Sequence, residues 1–136
     1  MSPANSADGD LTDAKITVFV VDDEPMLLDL ASTVLENAGF SVRVFRDPQQ
    51  ALFEFANTKP EPDVLVTDYA MGAMNGMDLI RECRRIKPEQ KIILISGTVD
   101  RSIYSNSPVK PDRFLAKPYP IDDFVQAIQS LAAEKR

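Results

Sequence analysis

The sequence predicts an α/β fold, a doubly wound parallel sheet of five strands with helices on both faces. Short apolar runs alternate with segments of helical periodicity along nearly the whole chain, and that alternation builds crossover units around a parallel sheet. Polar residues stand at the ends of those runs: Asp22 and Asp23 after ITVFVV, Asp68 after DVLVT, Ser96 after IILI and Lys117 after RFLA. The chain has 136 residues, enough for one domain with a real core and too few for a second comparable unit.

Met1 to Ala14 is small, polar and acidic, with too little apolar surface to offset the cost of ordering it, and reads as a flexible leader. The domain is expected over 15–136. Its first strand is 16–21. The first helix, 25–38, places Leu27, Ala31, Val34, Leu35 and Ala38 on one face; Pro25 suits its first turn and Gly39 its stop. A strand at 41–45, a helix at 48–57 and a strand at 63–67 follow, then a helix at 75–87 and a strand at 91–95. The segment GTVDRSIYSNSPVKPDRF is poor helix material, because Ser and Asn cluster there and Pro108 and Pro111 interrupt it. A short or distorted fourth helix near 99–105 is expected. Strand 113–116 and helix 120–134 close the chain. Pro120 opens that helix, Asp122 and Asp123 sit near its start, and Ile121, Phe124, Ile128 and Leu131 form its stripe.

Composition excludes several classes. Hydrophobic residues at 44% and charged residues at 26% describe a globular chain. The formal charge is −6, and three aspartates of the leader carry half of it, leaving no dense basic stretch to neutralise phosphates. Direct nucleic-acid binding is therefore not expected. No apolar run approaches the roughly 20 residues of a membrane span, and the N-terminus lacks a basic segment followed by an apolar one. A cytoplasmic protein with no membrane partner is predicted. The lone Cys83 makes no intrachain disulfide and reads as a small buried apolar residue, and without histidine a zinc site has no ligand set.

The crevice beyond the carboxyl ends of the strands is where open α/β sheets bind ligands. In a flavodoxin-like sheet of order 2-1-3-4-5, the first and third strands are neighbours, so Asp22, Asp23 and Asp68 converge. Two carboxylates roughly 4 Å apart repel by about 4 kcal/mol at an effective dielectric near 20, so the cluster needs a cation or protonation. All-oxygen ligands favour Mg²⁺. The competing explanation is that Asp22, Asp23 and Glu24 only cap the helix that begins at Pro25. Asp68 follows a buried strand and precedes a loop with Gly72 and Gly76; a carboxylate held there can attack phosphorus to give an acyl phosphate. Lys117 would pair with a phosphoryl oxygen, and Ser96 would donate its hydroxyl to another.

The pattern VVDDE, VTDYAMGAMNGMDL, LISG and FLAKPY resembles the receiver domain of two-component response regulators, over about Lys15 to Ala133. The resemblance implies that Asp68 is the phosphoacceptor. It implies that Asp23 is a direct Mg²⁺ ligand, that Asp22 acts largely through water and that the carbonyl of Ala70 is a third ligand. Ser96 becomes the switch hydroxyl and Phe114 the switch aromatic, and Lys117 carries the essential ammonium with a cis bond to Pro118. The implied chemistry is transfer from a phosphohistidine on a histidine kinase or histidine phosphotransfer protein, then slow self-catalysed hydrolysis. No turnover of a separate substrate is expected.

Departures from the family pattern carry their own expectations. Gly72 replaces the usual proline and should loosen the loop beyond Asp68. Ala70 brings no side chain to the site. A reduced fourth helix alters the family's common output face, which implies an unusual downstream partner or homodimer mode. Only positions 118–136 follow Lys117, room for the closing helix alone, so a single-domain regulator or a receiver cut from a longer chain is expected. A haloacid-dehalogenase-type phosphatase also uses a strand-end aspartate, but it wants a second aspartate where Ala70 stands. A flavodoxin-like cofactor binder needs a Gly/Ser/Thr-rich phosphate loop, whereas VVDDEPM repels phosphate without a metal. A receiver-like interaction module without phosphorylation is disfavoured because every expected acidic, hydroxyl and lysine position is filled.

Overall fold

In the computed structural model, which describes residues 15–97 and 102–134, five strands alternate with five helices. They are β1 Thr17–Val21, α1 Pro25–Asn37, β2 Ser41–Phe45, α2 Pro48–Asn57, β3 Val64–Asp68, α3 Gly76–Ile86, β4 Lys91–Ser96, α4 Ser102–Ser105, β5 Arg113–Ala116 and α5 Ile121–Ala133. The sheet is parallel throughout, in the order β2-β1-β3-β4-β5. The expected acidic leader, 1–14, lies outside the described residues, as do 98–101 at the start of the expected fourth helix. What is described of that helix is four residues long, in keeping with its poor composition.

Alternate residues of each strand face opposite layers. Val18 and Val20 of β1, with Val64 and Val66 of β3, pack against Leu28, Ala31 and Leu35 of α1 and Phe124, Ile128 and Leu131 of α5. Phe19, Val21 and Leu65 turn the other way, onto Ala51 and Phe55 of α2 and Leu79, Ile80 and Cys83 of α3. Cys83 is wholly buried, as expected, and burial pushes its thiol up to about 12.

The helix stripes need two corrections. In α1 the residues facing the sheet are Leu28, Ala31 and Leu35, while Leu27 is only half-buried and Ala38 is exposed. Leu27 and Leu30 border an open cavity beside Pro118 instead. In α5 the stripe starts at Phe124, because Ile121 at the first turn is 38% exposed.

Local signals set most helix ends. Pro25 and Pro48 occupy first-turn positions, and the Asp47 carboxylate accepts from the Gln49 N–H at 3.0 Å. Asn75 and Asp78 form a reciprocal capping box at α3. Gly39 ends α1 in the left-handed region at φ 97°. Gly72 has φ 89°, a conformation closed to proline, so the loop follows a different path and is not simply a looser version of a proline turn. The Lys117–Pro118 bond is cis, as the resemblance implied, and so is Lys59–Pro60.

Arg84 braces the α4–β5 connection from α3. Arg84 of α3 donates to the carbonyls of Gln90 at 2.9 Å and Lys110 at 3.0 Å and pairs with Asp112 at 2.9 Å. The same Asp112 oxygen accepts from the N–H of Ile92 at 2.8 Å.

Candidate functional site

Parallel register brings the strand ends to one edge of the sheet. Val21 pairs with Thr67, so Asp22 and Asp23 emerge beside Asp68. Asp68 pairs with Ile95, which puts Ser96 one step beyond it, and Ser96 pairs with Ala116 immediately before Lys117. The Lys117 N–H donates to the Ser96 carbonyl at 2.8 Å, fixing the root of the lysine.

One carboxylate oxygen from each of Asp22, Asp23 and Asp68 lies within 4.8 Å of the others. Asp22 and Asp68 are each 7% exposed, whereas Asp23 faces solvent. The Lys117 ammonium reaches Asp68 Oδ1 at 3.0 Å and Asp22 Oδ2 at 3.4 Å. Asp22 Oδ1 also accepts from the Glu24 N–H at 3.0 Å, while Glu24 at the N-cap of α1 makes no side-chain cap. Asp22 thus both fixes the approach to α1 and builds the site. The cap alone does not account for Asp68 and Lys117 meeting it from strands three and five.

Burial pushes the carboxyls of Asp22 and Asp68 above their ordinary range, and the attraction of Lys117 only partly offsets it. For Lys117 burial acts downward, but its hydrogen bond to Asp68 and the charges of both aspartates outweigh that and raise it. The two directions agree once charge is counted: one ammonium faces three carboxylates, so the lysine is fully held as a cation and negative charge remains in surplus. Carboxylate oxygens alone, with one acid open to water, suit a hard divalent cation that keeps part of its hydration shell.

The other expected site residues fall nearby. Ser96 is buried at the end of β4. Ala70 lies two residues beyond Asp68, exposed on the β3–α3 loop. Phe114 is half-buried on β5, where its ring lies 5.6 Å from that of Tyr104 in α4. Tyr119 was not singled out from the sequence. It packs on Phe124 at 5.3 Å, and burial raises its hydroxyl pKa, with the charges of Lys117, Asp22 and Asp68 also acting on it. Its place two residues beyond Lys117 was the only sequence signal for it.

Residues 18–129 match the family model described as the response regulator receiver domain. The alkaline phosphatase synthesis transcriptional regulatory protein SphR of Synechococcus elongatus is 31% identical over 124 residues, covering 84% of this chain and 48% of SphR. A receiver domain protein from Clostridium thermocellum superposes with a TM-score of 0.78 at 28% identity, covering 85% of this chain and 93% of that one. The response regulator TrrA of Thermotoga maritima, solved in complex with Mg²⁺-BeF, gives 0.75 at 25%, covering 87% and 99%. The chain spans about half the length of SphR and of the probable transcriptional regulatory protein TcrX of Mycobacterium tuberculosis, which it also matches. With its sheet order, its strand-end acids and a family match over most of its length, this chain belongs to the response regulator receiver domains.

Proposed function

We propose that this domain accepts a phosphoryl group on Asp68 from a phosphohistidine of a histidine kinase or histidine phosphotransfer protein, and that the modified domain signals by protein contact. The observation that carries this reading is the contact of the Lys117 ammonium with Asp68 at 3.0 Å, beside two further carboxylates. A carboxylate oxygen of Asp68 forms a bond to phosphorus as the donor's P–N bond breaks and its electron pair returns to the imidazole. Lys117 then pairs with a phosphoryl oxygen, and Ser96 donates its hydroxyl to another. Water later attacks the phosphorus, its bond to the Asp68 oxygen breaks, and inorganic phosphate leaves as the carboxylate is restored, so no separate substrate turns over.

Asp22, Asp23, Asp68 and the Ala70 carbonyl would hold Mg²⁺, which offsets negative charge as the phosphoryl group arrives. The complex of TrrA with Mg²⁺-BeF supports that choice of ion. The donor has to cover the approach to Asp68. An open cavity of about 320 Å³ lined by Leu27, Leu30, Lys117, Pro118, Tyr119 and Ile121 offers it apolar surface there. As an output device, Ser96 drawn toward phosphate vacates space into which Phe114 turns, away from Tyr104, and population shifts to the partner-binding arrangement. We place the domain, 15–136, in the cytoplasm; no helix among the described residues is long and apolar enough to cross a membrane.

The test is incubation with a small phosphodonor and Mg²⁺, read by intact mass. Wild type should gain a single phosphate and Asp68→Asn none; an equal adduct on both would place the chemistry elsewhere.

A further inference from the structure

Gly39 and Gly72 are glycines because of their backbone angles, with open space around each. Gly76 differs. It has no left-handed angle, yet a Cβ there would run into the carbonyl oxygen of Asp68 and stand 2.9 Å from Leu94 Cδ1 and 3.0 Å from Tyr69 Cα. Two of those three obstacles are backbone, which cannot swing aside as a leucine tip can. The first turn of α3 is drawn in by the Gly76 N–H, which donates to the Tyr69 carbonyl at 2.8 Å. On the other side the buried Thr67 hydroxyl donates to the same Asp68 carbonyl at 3.0 Å, with Met71 Sδ next at 3.8 Å.

We propose that Gly76, together with Thr67, is a positioning residue for phosphoryl transfer, holding the Asp68 peptide in the space a side chain would fill so that the carboxylate meets Lys117 and the acid cluster. The inference rests on Asp68 being the phosphoacceptor. Any β-carbon at position 76 pushes either α3 or the end of β3 outward, and the carboxylate, carried on that peptide, moves with it. Neither residue touches the phosphoryl group, so both act through Asp68.

The test compares wild type, Gly76→Ala and Gly39→Ala, the last adding a methyl group to strained but open backbone far from the site. Two quantities are read on each: the initial rate of phosphate adduct formation by intact mass, and the Mg²⁺ concentration at half-saturation from backbone amide shifts. An ångström of misplacement costs on the order of a hundredfold in rate. Gly76→Ala is therefore expected to lose tenfold or more in rate and to need several-fold more Mg²⁺, while Gly39→Ala keeps both wild-type values despite a lower melting temperature. Wild-type rate and Mg²⁺ affinity in Gly76→Ala overturn the proposal. So does recovery of both on adding Leu94→Ala, which would make the leucine the sole obstacle. Should Gly76→Ala not fold, Thr67→Val, which removes the second restraint without adding bulk, takes its place with the same two outcomes. If wild type itself takes no phosphate, the phosphoacceptor reading fails, and the Mg²⁺ comparison still decides the positioning of Asp68.

Discussion

Neutralising the central carboxylate should stabilise the metal-free domain. Asp68→Asn removes an attraction to Lys117 at 3.0 Å, about 5.5 kcal/mol at an effective dielectric near 20. It also removes a repulsion with Asp22 at up to 4.8 Å, about 3.5 kcal/mol on the same scale. Repulsion with the exposed Asp23, more strongly screened, narrows the difference further. The charge–charge contributions thus offset in large part, and the cost of burying the carboxylate, the largest influence on this group, decides the sign. Burial is the largest influence on Asp68 and leaves its pKa raised in the folded state. A raised carboxyl contributes stability that is complete below the unfolded pKa and is lost as pH rises through the folded one. At neutral pH the wild type has lost that contribution, and the asparagine variant never titrates.

The expected gain is about 1–2 kcal/mol, or roughly 3–8 °C in melting temperature for a domain of this size. Thermal melts in chelator at pH 7 measure it, and repetition near pH 4 should shrink the gap as the wild-type carboxyl takes up its proton. Saturating Mg²⁺ at a hundredfold over its dissociation constant adds about 2.7 kcal/mol to wild type and less to the variant, which has one ligand fewer. An Asp68→Asn protein that melts below wild type in chelator at pH 7 would refute the charge argument, because it would mean that the Lys117 pair outweighs burial.

Three further outcomes are expected. Lys117→Met should keep the fold and slow adduct formation from a small phosphodonor by about a hundredfold, since it removes one preorganised donor at the site; an unchanged rate by intact mass would exclude Lys117 from the chemistry. Arg84→Ala leaves the Gln90 and Lys110 carbonyls and Asp112 without their shared partner, so urea denaturation should show a loss of about 2–3 kcal/mol; a loss below about 0.5 kcal/mol would show that the α4–β5 connection is held by something else. Cys83, wholly buried and with its thiol pushed up to about 12, should resist a thiol reagent in the native state and react at once in denaturant.

The sheet and its order were legible because buried strands and amphipathic helices leave separate periodicities, and outside the fourth helix, whose expected start lies beyond the described residues, element limits moved by only a residue or two. The errors lie where periodicity is degenerate. Leu27 and Leu28 are adjacent, and the choice between them depends on helix rotation against α5, a tertiary contact with no local signature. Ile121 fits the α5 stripe by spacing, but at the helix start it borders the open cavity beside Leu27 and Leu30 and stays exposed. Nothing local distinguishes Arg84 from Arg81 and Arg85, its basic neighbours on α3. Its three acceptors come from segments up to 28 positions away, and only the folded chain brings them to one guanidinium.

The site was legible for a different reason. Strand ends in a parallel sheet share one edge, so polar residues that end several strands are brought together by topology alone, with no need to foresee side-chain contacts. What the sequence could not give is the charge balance. Counting residues yields three acids and one lysine; only geometry shows two of those acids nearly closed to water, with the single ammonium divided between them at 3.0 and 3.4 Å. Burial raises the carboxyls of Asp22 and Asp68 in the folded state, a direction that costs stability at neutral pH and is poorly explained as scaffold. On the proposed function, the missing positive charge is supplied by a divalent ion, and Lys117, shared between Asp22 and Asp68, is released to a phosphoryl group when one arrives.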